Sequence, residues 1–340
     1  MQSQQNILVV IPTLNESAHI SPLLNRLLNN VPEGRVQIVV ADGGSTDGTT
    51  NIVRRMSAED NRIGLIHNPK RIQSGGINLA VREFGQAADI LIRCDAHSEY
   101  PDNFIRDLVS SLLRTKADAV VVPMDTVGGN CLQRAIAWVS NSKVGTGGSA
   151  HRAGRKSEFV DHGHHAAMSM DAFRRVGGYD ETFSHNEDAE FDCRLRHLGG
   201  RIYLDADIRI AYQPRSSLAS LWRQYFNYGR GRSRTVRKHP ASLRLRQFLV
   251  PAHVFVMLVS LLAFGATGDA RLLAWPLAYL TALLGYSVYA SIQNRSKCGL
   301  LAAPAAFVMH TAWAIGFFWG LMSVRERAWT GNADQIAVQS

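Results

Sequence analysis

Three side chains able to bind a metal ion stand at alternate positions in the first third of the chain: Asp95, His97 and Glu99. They follow an apolar run at residues 90–92 that predicts a short buried strand, and Pro101 forbids further ladder pairing after them. If the segment stays extended, alternate side chains point the same way and the three converge. Carboxylates suit Mg²⁺ or Mn²⁺, and an imidazole can also bind Mn²⁺. The alternative is that Asp95 caps local structure and His97 faces solvent.

A second acidic group stands at the start of a predicted helix. The segment SHNEDAEFDCRLRHLGG predicts a helix from about Asn186 to the glycines at 199–200, with Glu187 and Asp188 in its first turn. The helix dipole favours negative charge there, which alone would explain both residues. A carboxylate in this place could also serve as a general base that removes a proton from an attacking hydroxyl.

The segments that must position these residues alternate in type. Strands are predicted at 6–11, 36–41, 63–67 and 88–94, and helices at 17–31, 49–56 and 76–84. Such alternation indicates a parallel sheet sandwiched between helices, in which ligands bind at the carboxyl ends of strands. Polar motifs do follow the strands: PTLNES, then ADGGSTDGTT, then the alternating trio. Asp42 precedes two glycines, where a carboxylate can accept hydrogen bonds from a ligand. The alternative for Asp42, and for Asp47 before the next predicted helix, is turn formation or helix capping.

The C-terminal part of the chain has a different composition. Residues 248–324 are almost free of charge and contain three apolar stretches, at 248–266, 272–292 and 298–324. Each reaches the roughly 20 residues that a helix needs to cross a bilayer, although a buried helical hairpin is the alternative. The expected organisation is a soluble head at 1–214, a basic amphipathic interfacial segment at 215–247, about three transmembrane helices at 248–324 and a short polar tail at 325–340.

The net charge of +9 is concentrated before the first apolar stretch. The basic residues there, with no acidic residue among them, are Arg215, Arg223, Arg230, Arg232, Arg234, Arg237, Lys238, Arg244 and Arg246. Because positive charge marks the cytoplasmic flank of a span, the head is expected in the cytoplasm. Arg295 and Lys297 agree with this orientation, whereas Arg325 and Arg327 would lie outside, so the course of the third stretch stays open. A basic run that abuts a span favours anionic lipid over nucleic acid.

The remaining global signals point to an intracellular chain. The apolar run at 7–11 is too short for a signal peptide and predicts a strand. The four cysteines show neither zinc-like pairing nor a disulfide framework, as expected in a reducing compartment.

Five motifs occur in a characteristic order along residues 6–212: VVIPTLNES, VVADGGSTDGT, SGGINLA, LIRCDAHSEYP and VGGYDETFSHNEDAEFDCRLRHLGGRI. In this order they closely resemble the family 2 glycosyltransferases, which are inverting enzymes with the GT-A fold. Within that family, RCDAHSEYP and VDHGHHAAM resemble exopolysaccharide glucosyltransferases of the succinoglycan type. The resemblance implies an α/β fold of the GT-A kind, a Rossmann-like mixed sheet flanked by helices, here followed by an amphipathic interfacial helix and C-terminal transmembrane helices.

The resemblance also implies which residues bind the donor nucleotide. Asp42 would contact the nucleotide base, and Pro12, Asn15 and Glu16 would wall the nucleoside site. The family's usual Asp-Asp pair is reduced to Asp42-Gly43 here, which leaves open the carboxylate that contacts the base. Asn78 in SGGINLA would lie near the nucleotide, or on an ordinary surface.

The reacting groups follow from the same resemblance. Asp95 would face the donor diphosphate and hold a divalent cation, Mg²⁺ or Mn²⁺. The family's Asp-x-Asp motif is Asp95-Ala96-His97 here, so His97 or Glu99 would supply the second ligand. Asp188 would be the base that takes the proton of the acceptor hydroxyl.

Acceptor binding is implied for VDHGHHAAM, which in the family lines the floor of the site. His162, His164 and His165, with Glu187, are the candidates; alternation would place His162 and His164 on one face and His165 opposite, and packed core histidines are the alternative. Arg230, beyond the apolar stripe of an amphipathic helix predicted at 217–239, would reach the leaving diphosphate or lipid. The Gln-x-x-Arg-Trp motif of processive synthases is absent, which favours the addition of a single sugar.

These observations predict a multi-pass inner-membrane enzyme with a cytoplasmic head. It would transfer a sugar, glucose from UDP-glucose, to a polyprenyl-diphosphate-linked saccharide in exopolysaccharide synthesis. Membrane lipids and other polysaccharide-assembly proteins are its expected partners, and nucleic acid is not. Two alternatives stay open: a polyprenyl-phosphate glycosyltransferase, whose acceptor needs less of a base, and a non-catalytic membrane scaffold with a GT-A head. A transporter is disfavoured, because the apolar stretches contain no acidic residue.

Overall fold

The computed structural model describes residues 5–29, 31, 36–146 and 156–331. The chain forms two compact units. The first comprises Met1–Met124, Gly154–Tyr212 and Trp329–Ser340, and the second comprises Asp125–Ala153 and Gln213–Ala328.

The first unit is built on an eight-stranded sheet. Its strands are β1 (Ile7–Thr13), β2 (Val36–Asp42), β3 (Ile63–His67), β4 (Ile90–Arg93), β6 (Ala119–Val122), β8 (Glu158–Val160), β9 (His164–Ser169) and β10 (Ile202–Leu204), in the order β3-β2-β1-β4-β9-β6-β10-β8. Strands β1 to β4 pair in parallel, whereas β9 is antiparallel to both β4 and β6. The predicted mixed sheet of GT-A type is thereby confirmed. The short strands β5 (Ser98–Glu99) and β11 (Ile210–Tyr212) pair with each other, and β7 (Met124–Thr126) lies where the chain leaves the unit.

Helices cover both faces of this sheet. They are α1 (Ile20–Leu28), α2 (Thr49–Glu59), α3 (Gln73–Phe84), α4 (Phe104–Thr115), α7 (Met170–Val176) and α8 (Glu187–His197). Along β1, Val9 and Ile11 belong to one apolar cluster, and Leu8 and Val10 to another on the opposite face. All four are fully buried, so both faces of this strand are covered. This explains why its sequence is a continuous apolar run, as is typical of parallel strands covered on both sides.

Two helix starts differ from the sequence expectation. Helix α1 begins at Ile20 rather than near residue 17, since residues 17–19 form a turn whose Ser17 backbone N–H donates to Asp47 in the loop before α2. Helix α3 begins at Gln73 and includes Gly76, where a Cβ would crowd Asn68 and Ala41. The glycine therefore lets this helix approach β2 closely.

The second unit is helical. Its helices are α5 (Cys131–Ser140), α6 (Lys143–Thr146), α9 (Leu218–Lys238), α10 (Arg246–Thr267), α11 (Ala274–Gln293) and α12 (Ala302–Ser323). In the described part of the chain, three segments are long and apolar enough to cross a membrane: Gln247–Thr267, Ala270–Gln293 and Lys297–Ser323.

A disulfide joins Cys131 at the start of α5 to Cys298 between α11 and α12, with their Cα atoms 5.0 Å apart. The expectation that the cysteines form no disulfide was therefore wrong. The two residues are separated by 167 positions, so no local spacing could have revealed the pair.

Candidate active site

The central side chain of the site is Arg93, the last residue of β4. It is only 4% exposed, and its guanidinium faces three carboxylates. Nη1 donates to Asp188 Oδ1, Nη2 lies 3.5 Å from Glu187 Oε1, and Nε lies 3.7 Å from Asp95 Oδ1. Asp95 follows β4, and the other two acids begin α8. One buried cation therefore joins the carboxyl end of a central strand to a helix start far away in sequence.

This pairing gives the acids different protonation states. Burial would raise the pKa of both Asp95 and Asp188, but the charge of Arg93 and the smaller effects of neighbouring histidines together outweigh burial and hold each pKa below its usual value. Burial and the neighbouring Asp188 charge instead raise the pKa of Glu187 to about 7. Near neutral pH, Asp188 is thus an ionised carboxylate beside a carboxyl group that can still hold its proton.

A buried histidine, His165, lies close to Asp188. His165 is fully buried, with Nε2 2.7 Å from Asp192 Oδ1, Nδ1 2.6 Å from the Tyr179 hydroxyl, and Nδ1 3.6 Å from Asp188 Oδ1. Burial would lower its pKa, but the charges of Asp192 and Asp188 outweigh burial and raise it. The expected acceptor contact of His165 is therefore contradicted, because its ring nitrogens face partners inside the protein.

The expected alternation of the histidines is also wrong. His162 Nδ1 lies 2.7 Å from Asp192 Oδ2, so His162 and His165 share one aspartate. The reason is that β9 begins only at His164, and His162 lies in the irregular segment before it.

His164 faces Asp95 instead. Its Nε2 lies 3.7 Å from Asp95 Oδ2, and its ring nitrogens make no hydrogen bond within the described part of the chain. The other carboxylate oxygen, Oδ1, accepts a hydrogen bond of 2.5 Å from Gln73 Nε2 at the start of α3. Burial lowers the pKa of His164 to about 4, so its imidazole is neutral and has a lone pair available.

The predicted convergence of Asp95, His97 and Glu99 is wrong. Residues 96–97 form a turn, and the Ser98 N–H donates to the Asp95 carbonyl oxygen, so the segment is not extended. His97 Nδ1 lies 2.9 Å from Glu16 Oε1, while Glu99 is exposed in β5. Within residues 5–29, 31, 36–146 and 156–331, no three His, Cys, Asp or Glu side chains are grouped closely enough to hold an ion.

Asp95 and His164 nevertheless fit a divalent cation of the Mn²⁺ type. They offer one carboxylate oxygen and one neutral imidazole nitrogen that face each other. A cation at a nucleotide site needs only one or two protein ligands, since phosphate oxygens and water complete its coordination. The imidazole favours Mn²⁺ over Mg²⁺ in this pair.

Hydrogen bonds join the loops that follow β1 and β2 beside the site. The Asn15 N–H donates to Ser45 Oγ at 2.8 Å, and Asn15 Oδ1 accepts from the Thr46 N–H at 2.8 Å. Asp42, which is 2% exposed, accepts hydrogen bonds from the N–H groups of Gly44 and Ser45 and from the Ser45 hydroxyl. In this structure the Asp42 carboxylate shapes its own turn, and its contact with a nucleotide base stays a prediction.

Glu16 extends this loop pair towards His97. Burial would raise its pKa, but the hydrogen bonds and charges of His97 and His19 outweigh burial and lower it. Pro12 lies within β1, opposite Ala41 of β2.

Two predicted donor-binding residues have other surroundings. Asn78 Nδ2 donates to the Tyr179 carbonyl oxygen and to Glu181 Oε1, each at 2.8 Å, and its Oδ1 accepts from the Tyr179 N–H. Asn78 therefore ties α3 to the segment before α8. Arg230 lies in α9, which belongs to the second unit.

Sequence reasoning missed Arg93, Gln73, Asp192 and Tyr179. Of these four, only Arg93 could have been inferred from the sequence. It directly follows a predicted buried strand, and an arginine buried there needs acidic partners. The other three are recognisable only from contacts across the fold.

Comparisons with known proteins agree with this architecture. Residues 8–177 match the family described as Glycosyl transferase family 2. The chain is 47% identical over 325 residues to the succinoglycan biosynthesis protein ExoA of Rhizobium meliloti (strain 1021), covering 94% of this chain and 96% of the relative. It is 25% identical to the dolichyl N-acetyl-alpha-D-glucosaminyl phosphate 3-beta-D-2,3-diacetamido-2,3-dideoxy-beta-D-glucuronosyltransferase of Methanococcus voltae, covering 93% and 97%.

Among solved structures, the mannosyltransferase PcManGT from Pyrobaculum calidifontis, in complex with GDP-Man and Mn²⁺, matches with a TM-score of 0.62 at 20% identity. That match covers 91% of this chain and 88% of PcManGT, and it supports the fold. From the family match and the extent of the similarity to ExoA, the chain belongs to glycosyl transferase family 2 and is a glycosyltransferase.

Proposed function

We propose that this enzyme transfers a sugar, glucose from UDP-glucose, with inversion onto a polyprenyl-diphosphate-linked saccharide in exopolysaccharide synthesis. The observation that carries the proposal is the shared contact of Asp95 and Asp188 with Arg93, because it provides a donor-side acid and a base in one place. The similarity to a succinoglycan biosynthesis protein over nearly the whole chain supports the exopolysaccharide product. The similarity to a transferase named for a dolichyl-phosphate sugar supports a lipid-linked acceptor.

Transfer forms a bond between the acceptor oxygen and the anomeric carbon, and breaks the bond from that carbon to the donor diphosphate. The nucleoside diphosphate leaves with the electron pair, and the acceptor hydroxyl must lose its proton. Asp188 accepts that proton, since Arg93 keeps it ionised and His165 lies behind it. Its side chain retains 16% exposure, which gives an acceptor access to it.

A divalent cation bound with the donor would supply positive charge to the leaving diphosphate. Asp95 and His164 would hold it. Gln73 fixes the Asp95 carboxylate through the 2.5 Å hydrogen bond to Oδ1, which leaves Oδ2 directed at His164.

The proposed location is the inner membrane, with the head in the cytoplasm. The support is the set of apolar helices of the second unit and the basic residues that precede them. Those basic residues, Arg230 among them, would contact anionic lipid head groups.

The test is transfer from a panel of labelled nucleotide sugars into extractable lipid by membranes that contain the full chain, with and without a chelator. We expect transfer from UDP-glucose that the chelator abolishes. Asp188→Asn should lower the rate by about 10²–10⁴-fold, as for removal of a general base. Asp171→Asn, at an 85% exposed position, is the matched control and should leave the rate unchanged.

Two outcomes would replace this proposal. Transfer that survives Asp188→Asn would favour a polyprenyl monophosphate as acceptor, because a phosphate needs less help from a base. No transfer from any donor in the panel with Mg²⁺ or Mn²⁺ would leave a membrane-bound scaffold as the better reading.

A further inference from the structure

The three apolar segments of the second unit differ in how deeply they are buried within the protein. Only 11% of the most apolar stretch of Gln247–Thr267 and 17% of that of Ala270–Gln293 is buried. The corresponding value for Lys297–Ser323 is 56%. Helices α10 and α11 therefore expose apolar side chains almost all round, as lipid-facing helices do, whereas α12 is covered by protein.

The helix that covers α12 is α9. A Cβ at Gly316 of α12 would collide with the Phe226 carbonyl oxygen, and a Cβ at Gly229 of α9 would collide with the Trp313 carbonyl oxygen. Backbone approaches this close are possible only at glycine. The two helices are therefore in direct backbone contact.

Later residues of α9 contact later residues of α12. Phe226 meets Gly316, Ser233 meets Gly320, and Arg237 donates to the carbonyl oxygens of Leu321 and Val324. Towards the other end, Leu221 belongs to the same apolar cluster as Ala302, Ala303, Ala305 and Ala306. The helices thus run parallel and in contact from Phe226 to Arg237 of α9, and the C-terminal end of α12 lies beside the C-terminal end of α9.

Helix α9 is not a transmembrane helix. Its 21 residues include six basic side chains: Arg223, Arg230, Arg232, Arg234, Arg237 and Lys238. A charged side chain at the centre of a bilayer costs about 2.5–3.5 kcal/mol even on the lowest scales. Five of these six side chains lie between Arg230 and Lys238, in the part of α9 that contacts α12. A helix that runs parallel to this basic part and in direct contact with it has the same relation to the membrane.

The residues that follow α12 confirm on which side it ends. Glu326 forms an ion pair with Arg234 of α9. Within the first unit, the Trp329 ring packs edge-on against His197, with 4.8 Å between ring centroids. The chain after α12 therefore returns to segments that precede the first apolar helix.

We propose that only α10 and α11 cross the membrane, as a hairpin surrounded by lipid acyl chains, and that α12 lies beside α9 at the membrane surface from which the hairpin starts. This inference rests on the membrane location given above. It replaces the expected three crossings with two, so that both flanks of α12 lie on one side.

The two-crossing arrangement removes the conflict in the distribution of charge. Arg295 and Lys297 before α12, and Arg325 and Arg327 after it, all lie on the cytoplasmic side, as the positive-inside rule demands. With three crossings the last two arginines would lie outside.

The test is labelling of introduced cysteines with a membrane-impermeant maleimide in spheroplasts that express the full chain. Arg271→Cys, between α10 and α11, should be labelled in intact spheroplasts. Arg327→Cys, after α12, should be labelled only after permeabilisation. The parent chain, treated in parallel, gives the background from its native cysteines.

Labelling of Arg327→Cys in intact spheroplasts would establish three crossings and overturn the inference. Protection of Arg271→Cys until permeabilisation would also overturn it, because the hairpin would then not cross. Sugar transfer is measured separately on the same membranes. Absent transfer together with the expected labelling would refute the proposed function alone.

Discussion

Replacing Arg93 with methionine should raise the pKa of Asp188 and destabilise the head. The guanidinium donates to Asp188 and lies 3.5 Å from Glu187 and 3.7 Å from Asp95, so its loss leaves three acids without their common cation. Removal of an opposite charge this close raises a carboxyl pKa by about 1–3 units. Breaking a buried ion pair costs about 3–5 kcal/mol, and we expect about 3 kcal/mol because Asp95 and Asp188 keep 14% and 16% exposure.

The sign of the pH dependence follows from these shifts. In the native protein the pKa of Asp188 is held below its ordinary value of 3.8, so its pairing stabilises the fold above that pH and is lost as the pH falls through the lowered pKa. Without Arg93 burial dominates, and folding is penalised wherever the acids are ionised. The variant should therefore be most destabilised near pH 7, and the difference should shrink as the pH approaches about 4.

Thermal unfolding of the full chain in detergent, from pH 4 to 8, measures this difference. The acidic limb of kcat/KM for sugar transfer should move upward by about 1–3 pH units in the same variant. Arg93→Lys retains the charge and should keep most of the native pH profile. A difference in melting temperature that is constant with pH, together with an unmoved acidic limb, would refute the assignment of Arg93 as the group that keeps Asp188 ionised.

Three further changes test other parts of the structure. His164→Asn should weaken Mn²⁺ binding in the presence of UDP by at least about tenfold, as measured by the electron paramagnetic resonance of free Mn²⁺. The control His97→Asn should leave Mn²⁺ binding unchanged, and equal effects of the two variants would contradict His164 as a ligand. Gly316→Leu should destabilise the second unit by about 1–3 kcal/mol or more in thermal unfolding, whereas Gly285→Leu, where a Cβ meets nothing within 4 Å, should be tolerated. The pKa of Glu187, raised from 4.5 to about 7, predicts stability that declines as the pH rises between these values, and Glu187→Gln should flatten that decline.

Much of the fold could be predicted because its signals are local. The apolar runs of β1, β2 and β4 and the helical spacing of Ile20, Leu23, Leu24 and Leu27 are visible in the sequence, and the polar motifs mark where strands end. What failed was the extrapolation of strand geometry beyond β4. The turn at residues 96–97 redirects His97 to Glu16, and a single turn is enough to undo an argument from alternation.

The composition of the site could be predicted only in part, since charge compensation is not a local property. The family motifs indicate Asp95 and Asp188 but say nothing of what holds them, which is an arginine two positions before the first. The disulfide and the pairing of α9 with α12 were hidden for the same reason, because both join segments remote in sequence.

The charge balance around Arg93 implies that the binding of the cation depends on the binding of the donor. With Glu187 protonated below its pKa of about 7, Arg93, Asp95 and Asp188 together leave a single net negative charge in a partly buried site. A divalent cation that bound alone beside Asp95 would reverse the sign of that charge next to a guanidinium, which is unfavourable where screening is weak. A nucleotide diphosphate that arrives with the cation balances its charge and leaves the cluster unchanged. The cation and the donor should therefore bind together, and the affinity for Mn²⁺ should rise when UDP is present.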